Sequence, residues 1–177
     1  MKTSVFILIG AAWAALSSGA LAQEGEAAAS SAPLTVEQAV LPDAVVAYRG
    51  PEAFVIETDT GPVTIMAEIA DTPQSRARGL MFRDSLGENE GMVLDHGVAQ
   101  PSSIWMRNTL IGLDIVFIRA DGRIAKIAAN AQPRSERSIP SDIPVRAVLE
   151  IPAGRAAALG LRPGMTVQHA MFVSAAG

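Results

Sequence analysis

Two carboxylates stand where a strand would carry apolar residues: Asp114 in Leu113-Asp114-Ile115-Val116-Phe117 and Glu150 in Val148-Leu149-Glu150-Ile151. Taking a carboxylate out of water is costly unless a cation or several hydrogen-bond donors meet it. A pair of them can act as general acid and base on either side of a bond to be cut. Each could equally hold a polar ligand or organise a core. Just upstream, Trp105 and Arg107 in Ser102–Asn108, SSIWMRN, alternate onto one side of an extended chain, with Met106 and Asn108 opposite. An indole beside a guanidinium can stack against a sugar or aromatic ring and grip an anion; the bland alternative is a core Trp with an Arg lying over it. Arg107 or Asn108 is the expected partner of Asp114.

Other groups point to less. Arg76, Arg78 and Arg83 surround Gly79-Leu80-Met81-Phe82, and Arg134 and Arg137 lie in a polar loop; each set suits a solvated face or the rim of an anion site. Six methionines, Met66, Met81, Met92, Met106, Met165 and Met171, are dispersed among Leu and Val and read as gap fillers rather than soft-metal ligands. His96 and His169 are the only histidines, without paired-His spacing, so no metal or cofactor is expected. Asp95-His96 could belong to a Ser-His-Asp site, but no G-x-S-x-G elbow accompanies it.

The elements that must position these residues are short and β-like. AFVIETD (53–59) and PVTIMAEIA (62–70) flank Thr60-Gly61 as a hairpin. Thr72 then caps a helix predicted over Pro73 to Arg78, with Gly79 just past its end. GMVLDHG (91–97) and IWMRN (104–108) are two further runs. Asp121-Gly122 predicts a tight primed turn joining strands 113–119 and 123–129. Residues 132–144 form a long polar loop, VRAVLEIP a strand ending at Pro152, GRAAALGL one or two helical turns, and GMTVQHAMFV a closing strand. About eight short strands with one or two short helices predict a mainly β fold, either a compact β-sandwich or a partly closed β-barrel.

The N-terminus has a different character. Lys2, a 12-residue apolar run from Val5 to Leu16 and Ala20-Leu21-Ala22 form the three parts of a cleaved secretory signal over residues 1–22. The run is short of the roughly 20 residues that span a bilayer. Residues 23–50 read as a flexible leader, and 51–175 as a single domain. Signal removal takes one base and no acid, so the net charge falls from −4 to −5. That surface offers nucleic acid and anionic lipid no attraction. With no cysteine the chain has no disulfide or thiol chemistry, and the expected location is periplasmic or secreted.

ADTPQSRARGLMFRDSL, GMVLDHG, SSIWMRNTLIGLDIVFIRADGRI and VRAVLEIPAG with LGLRPGM, taken in this order over residues 61–170, resemble the successive blocks of the family called domain of unknown function 192. The resemblance rests on Gly79, Leu80, Met81, Gly91, Met92, Trp105, Met106, Arg107, Asn108, Thr109, Leu113, Asp114, Leu149, Glu150 and Gly154. Leu94 and Gly112 depart from the Phe and Pro more usual there. It implies a small, β-rich secreted or envelope-associated domain and no established reaction.

The residues thus point to a noncatalytic module that binds a small polar ligand, a glycan or an envelope partner through Trp105, Arg107, Asn108, Asp114 and Glu150. The alternatives are a stability or interaction module whose polar groups only organise its core, and a hydrolase or lyase using Asp114 and Glu150.

Overall fold

The computed structural model describes residues 32–172, beginning with one turn of helix, α1 (Val36–Ala39). Thr35 and Gln38 close it reciprocally: the Thr35 hydroxyl accepts from the Gln38 N–H at 3.2 Å, and Gln38 Oε1 accepts from the Thr35 N–H at 2.8 Å. This is a capping box. Arg78 donates to the carbonyls of Ala39, Leu41 and Pro42, so residues 35–42 are strapped to the domain. The expectation of a flexible leader reaching residue 50 is corrected here; the predicted signal segment lies outside the described residues.

β1 (Arg49–Thr58) and β2 (Gly61–Ala70) form the predicted hairpin, closing at Thr58 opposite Gly61. α2 (Pro73–Arg78) follows, with Thr72 as N-cap and Pro73 in its first turn. This crossover allows β3 (Glu90–Gln100) to run parallel to β2, Met66 facing Glu90 and Ala70 facing Leu94, because parallel neighbours cannot be joined by a tight turn. β4 (Ser103–Ile104) is far shorter than the predicted strand at 104–108. The chain turns at once, with Met106 N–H bonded to Ser135 O at 2.8 Å and Thr109 N–H to Met106 O at 3.0 Å. β5 (Leu113–Ile118) and β6 (Ile124–Ala131) pair antiparallel, and β7 (Ile139–Pro140) pairs only with β4. β8 (Val145–Pro152), α3 (Arg155–Ala158) and β9 (Val167–Gln168) complete the fold.

Seven strands form one curled, half-barrel sheet in the order β6-β5-β8-β3-β2-β1-β9. Its two edges meet at one end. Val167 N–H bonds to Gly122 O, Ile124 N–H to Met165 O and Gly164 N–H to Ile124 O, each at 2.8 Å. The expected two-residue turn at Asp121-Gly122 is wider than predicted: Gly122 N–H reaches Arg119 O at 3.1 Å, while Arg119 N–H pairs with Arg123 O at 2.9 Å. Closure explains the glycine, since a Cβ at position 122 would lie 2.7 Å from Val167 O, and its φ is +77°. Any side chain there would push the sheet edges apart.

Each sheet face has its own apolar cluster. Residues of all seven strands, among them Phe54, Ile65, Val93, Val116, Ile124, Leu149 and Val167, pack on the inner face. Met92, Leu94, Leu113, Ile115, Phe117 and Val148 pack on the other, beneath Ile104 from β4 and Leu80 and Met106 from the loops. β5 is buried along its whole length, which is why its sequence is an apolar run rather than an alternation.

Asp114 joins three of these elements. Leu113 faces Ala131 but Ile115 faces Ala128, so β6 carries an extra residue, a bulge at Asn130. The N–H groups of Asn130 and of Ala156, in the first turn of α3, each donate to one Asp114 oxygen at 2.8 Å. Gly154, at the N-cap of α3, has no side chain with which to do this. The carboxylate is wholly buried and satisfied. Asp114→Asn turns one acceptor into an NH2 facing an N–H donor. It is expected to cost about 2 to 4 kcal/mol, read as a lowered urea midpoint with unchanged slope.

Candidate functional site

Register carries a row of side chains across the outer face: Glu68 on β2, Met92 on β3, Glu150 on β8 and Ile115 on β5 are successive partners. Gly91 lets β3 approach closely here, as a Cβ on it would lie 2.8 Å from Glu150 O. Glu150 is only 5% exposed, and its carboxyl forms the floor of a cavity of about 50 Å³ walled by Gly79, Leu80, Ile104, Trp105 and Thr109. No described group hydrogen-bonds to it. Burial alone pushes its pKa up to about 7, because the charged form has lost water without gaining a partner.

Tyr48 braces the Gly79 wall, donating its hydroxyl to Gly79 O at 2.9 Å. Its own pKa is raised by burial; Arg83 and Arg78 pull it down, and Glu68 and Glu150 push it up. Glu68 is ion-paired with Arg83, although no N–H is aimed at its Oε2. These two line a separate depression with Pro51, Met66 and Leu86.

The walls come from three loops laced together at residues in the left-handed region, Phe82, Asn108 and Arg134, at φ +62°, +59° and +59°. Phe82 N–H bonds to Asn108 O at 2.9 Å and Arg134 N–H to Thr109 O at 3.0 Å. A bulky residue such as Phe82 holds this conformation only when its surroundings over-determine it. Arg78, over the Phe82 ring at 4.6 Å, helps to do so. Trp105 stands 52% exposed at the mouth, with the Arg107 guanidinium 5.8 Å from its ring centre. Arg107 reaches Glu136 at 3.9 Å, both well exposed.

The structure therefore brings Trp105, Arg107, Asn108 and Glu150 to one region and leaves Asp114 out. Asp114 faces Ile151, an inner-face residue, while Glu150 faces Ile115 on the outer cluster. Strand alternation thus sends the two carboxylates to opposite faces of the sheet, so they cannot flank one bond. The expected partnership of Asp114 with Arg107 or Asn108 is likewise corrected: both its oxygens are taken by backbone N–H groups.

Asp95 and His96 also separate. Asp95 accepts from Arg146 at 2.7 Å and from Gly97 N–H at 2.8 Å; burial would raise its pKa, but these partners hold it below the usual value. His96 Nε2 lies 3.0 Å from Ser102 Oγ, with its pKa lowered first by burial and then by Arg76. His169 meets Glu52 at 2.9 Å and stacks on Phe54. Among the described residues no cluster of three His, Asp or Glu could hold a metal.

Sequence reasoning missed Tyr48, Thr109 and Glu68 as members of this region. Tyr48 fell within the supposed leader, and Glu68 shares an alternating face with Thr64 and Met66 that reads as solvated. That Tyr48 is the only tyrosine of the chain was the one available signal.

The sequence profile of domain of unknown function 192, described as an uncharacterized ACR, matches residues 54–169. The chain belongs to this family. Among solved structures, the DUF192 domain is similar to a candidate transcription regulator from Sinorhizobium meliloti 1021, at 38% identity and TM-score 0.69 over 72% of this chain and 99% of that one. It is also similar to a protein of unknown function from Novosphingobium aromaticivorans DSM 12444, at 37% identity and TM-score 0.66 over 78% and 99%. Among curated proteins none is similar to it.

The raised pKa of Glu150 has a measurable sign. Between its ordinary value of 4.5 and about 7, the folded DUF192 domain holds a proton that the unfolded chain has released. The group's contribution to stability is full below the lower value and lost as pH rises through the upper. From pH 5 to pH 8 the wild type should lose about 2 to 3 kcal/mol more than Glu150→Gln, measured by urea unfolding at both pH values. Equal losses would mean that the carboxyl is not desolvated.

Proposed function

We propose that this DUF192 domain is an exported, noncatalytic binding module that holds a small polar ligand over Glu150 and against Trp105. One observation carries the reading: Glu150, a buried residue whose carboxyl has no protein partner, lies at the floor of a cavity. A group in that state destabilises the fold unless something else supplies donors, and a ligand whose hydroxyl or amide groups reach the floor would do so. The exposed indole beside the mouth, and loops tied to a rigid sheet, suit recognition. Asp114, the other carboxylate in the apolar strands, works for the fold on the opposite face and cannot pair with Glu150 across a bond, and the nearest acid on the outer face, Glu68, is ion-paired with Arg83.

The name of the Sinorhizobium meliloti protein raises nucleic acid as a partner. An acidic chain of net charge −4 does not favour that partner, and Arg49, Arg76, Arg78, Arg83, Arg146 and Arg155 are each engaged within the domain.

Thermal unfolding of the purified protein against sugars, peptidoglycan fragments, nucleotides, organic acids and divalent metals tests the proposal. A ligand at about 100 times its Kd adds about 2.7 kcal/mol, or roughly 5 to 10 °C for a domain of this size. The shift should vanish in Trp105→Ala and in Glu150→Gln. A panel without any shift, or a shift that both variants retain, would remove the site from the account.

A further inference from the structure

Trp105 borders two depressions: the small one over Glu150 and a larger one of about 310 Å³ reaching Leu41, Phe82 and Arg107. Phe82, Arg107 and Asn108 in turn border a third and more open one, which includes Arg134 and Glu136. Shared lining residues set the three side by side along one surface groove, and their polar groups are graded from one to the next. At the closed end stand an unpartnered carboxyl and the Thr109 hydroxyl. A half-exposed indole lies midway, and two guanidinium groups lie at the open end.

The cations nearest the closed end are already committed. Arg76 donates to the carbonyls of Asp71 and Asp95, and Arg78 to those of the strap. The open end is different. Arg107 has only its 3.9 Å contact with a well-exposed Glu136, and the Arg134 guanidinium has no partner among the described residues.

Size narrows the occupant. A space of about 50 Å³ over Glu150 exceeds the roughly 30 Å³ share of one water molecule only modestly. It admits a hydroxyl or hydroxymethyl group beside the carboxyl. The indole offers an apolar face to the flat side of a pyranose ring. Two guanidinium groups lining one depression, planar and permanently charged, suit a carboxylate better than any neutral group.

We infer that the groove binds an acidic saccharide, with ring hydroxyls donating to Glu150, the ring face against Trp105 and a sugar carboxylate between Arg107 and Arg134. This rests on the binding reading above and adds the chemical class of the ligand to it.

Isothermal titration of the purified protein with tetragalacturonate, cellotetraose and adenosine monophosphate separates the two. Tetragalacturonate should bind at least about 10-fold more tightly than cellotetraose. The double variant Arg107→Gln with Arg134→Gln should abolish that preference, and Arg134→Gln alone should reduce it. Glu150→Gln should weaken both saccharides. Both arginines are exposed, so the double variant should unfold at the wild-type temperature; a lowered midpoint would point to Arg107→Gln alone as the variant to titrate. Equal affinity for the acidic and neutral saccharides overturns the acidic class. Binding of adenosine monophosphate that depends on Glu150, without saccharide binding, overturns the saccharide class and keeps the binding reading. If none of the three binds and the wider thermal panel is also silent, both fail.

Discussion

Two hydrogen bonds to one buried carboxylate set the geometry of everything near the groove. Asp114 accepts the N–H of Asn130, freed from the ladder by the bulge in β6, and the N–H of Ala156 at the start of α3. These contacts lock β5 with Asp114 on the inner face. A strand turns successive side chains to opposite sides, so Ile115 is committed to the outer face, and β8, in register with β5, must follow. Ile151 goes inward with Asp114 and Glu150 goes outward with Ile115. The position of the candidate site is thus a consequence of an inward-facing acid on the neighbouring strand.

The two carboxylates show how environment, rather than residue type, decides a role. They lie on adjacent strands and both are almost entirely shielded from water. Asp114 has a backbone N–H donor on each oxygen, so both of its acceptors are satisfied. Glu150 has no such donor, and burial drives it toward the protonated form near neutral pH. A fold that needed only order at position 150 would do as well with Gln or an apolar residue, which is why the unpartnered acid favours an external partner.

Loops supply what the sheet cannot. The half-barrel provides the floor, but the walls depend on three segments cross-bonded at Phe82, Asn108 and Arg134, and on the strap that Arg78 holds through three carbonyls. Their mutual bonding satisfies backbone groups that would otherwise be buried without partners. It also leaves Trp105 exposed, since the chain turns away right after β4 instead of continuing into a sheet.

Much of this was legible in the sequence. The first hairpin, the helix over Pro73–Arg78, the strand ending at Pro152 and the mainly β class follow from alternation, capping residues and turn chemistry, all of which act over a few residues. That Trp105, Arg107, Asn108 and Glu150 are polar or aromatic groups set among or beside apolar runs could be read in the same way. What the sequence could not determine was facing. Whether Asp114 and Glu150 meet depends on the register between β5 and β8, where a shift of one residue reverses every side chain; the partners of Asp114 come from residues 16 and 42 positions away. Tyr48 and the strap were hidden because the contacts that order them, Gly79 and Arg78, lie more than thirty positions along the chain. Local preferences therefore specified the elements, and only the closure of the sheet, which brings distant backbone donors to one carboxylate and none to the other, decided which acid serves the fold and which faces the groove.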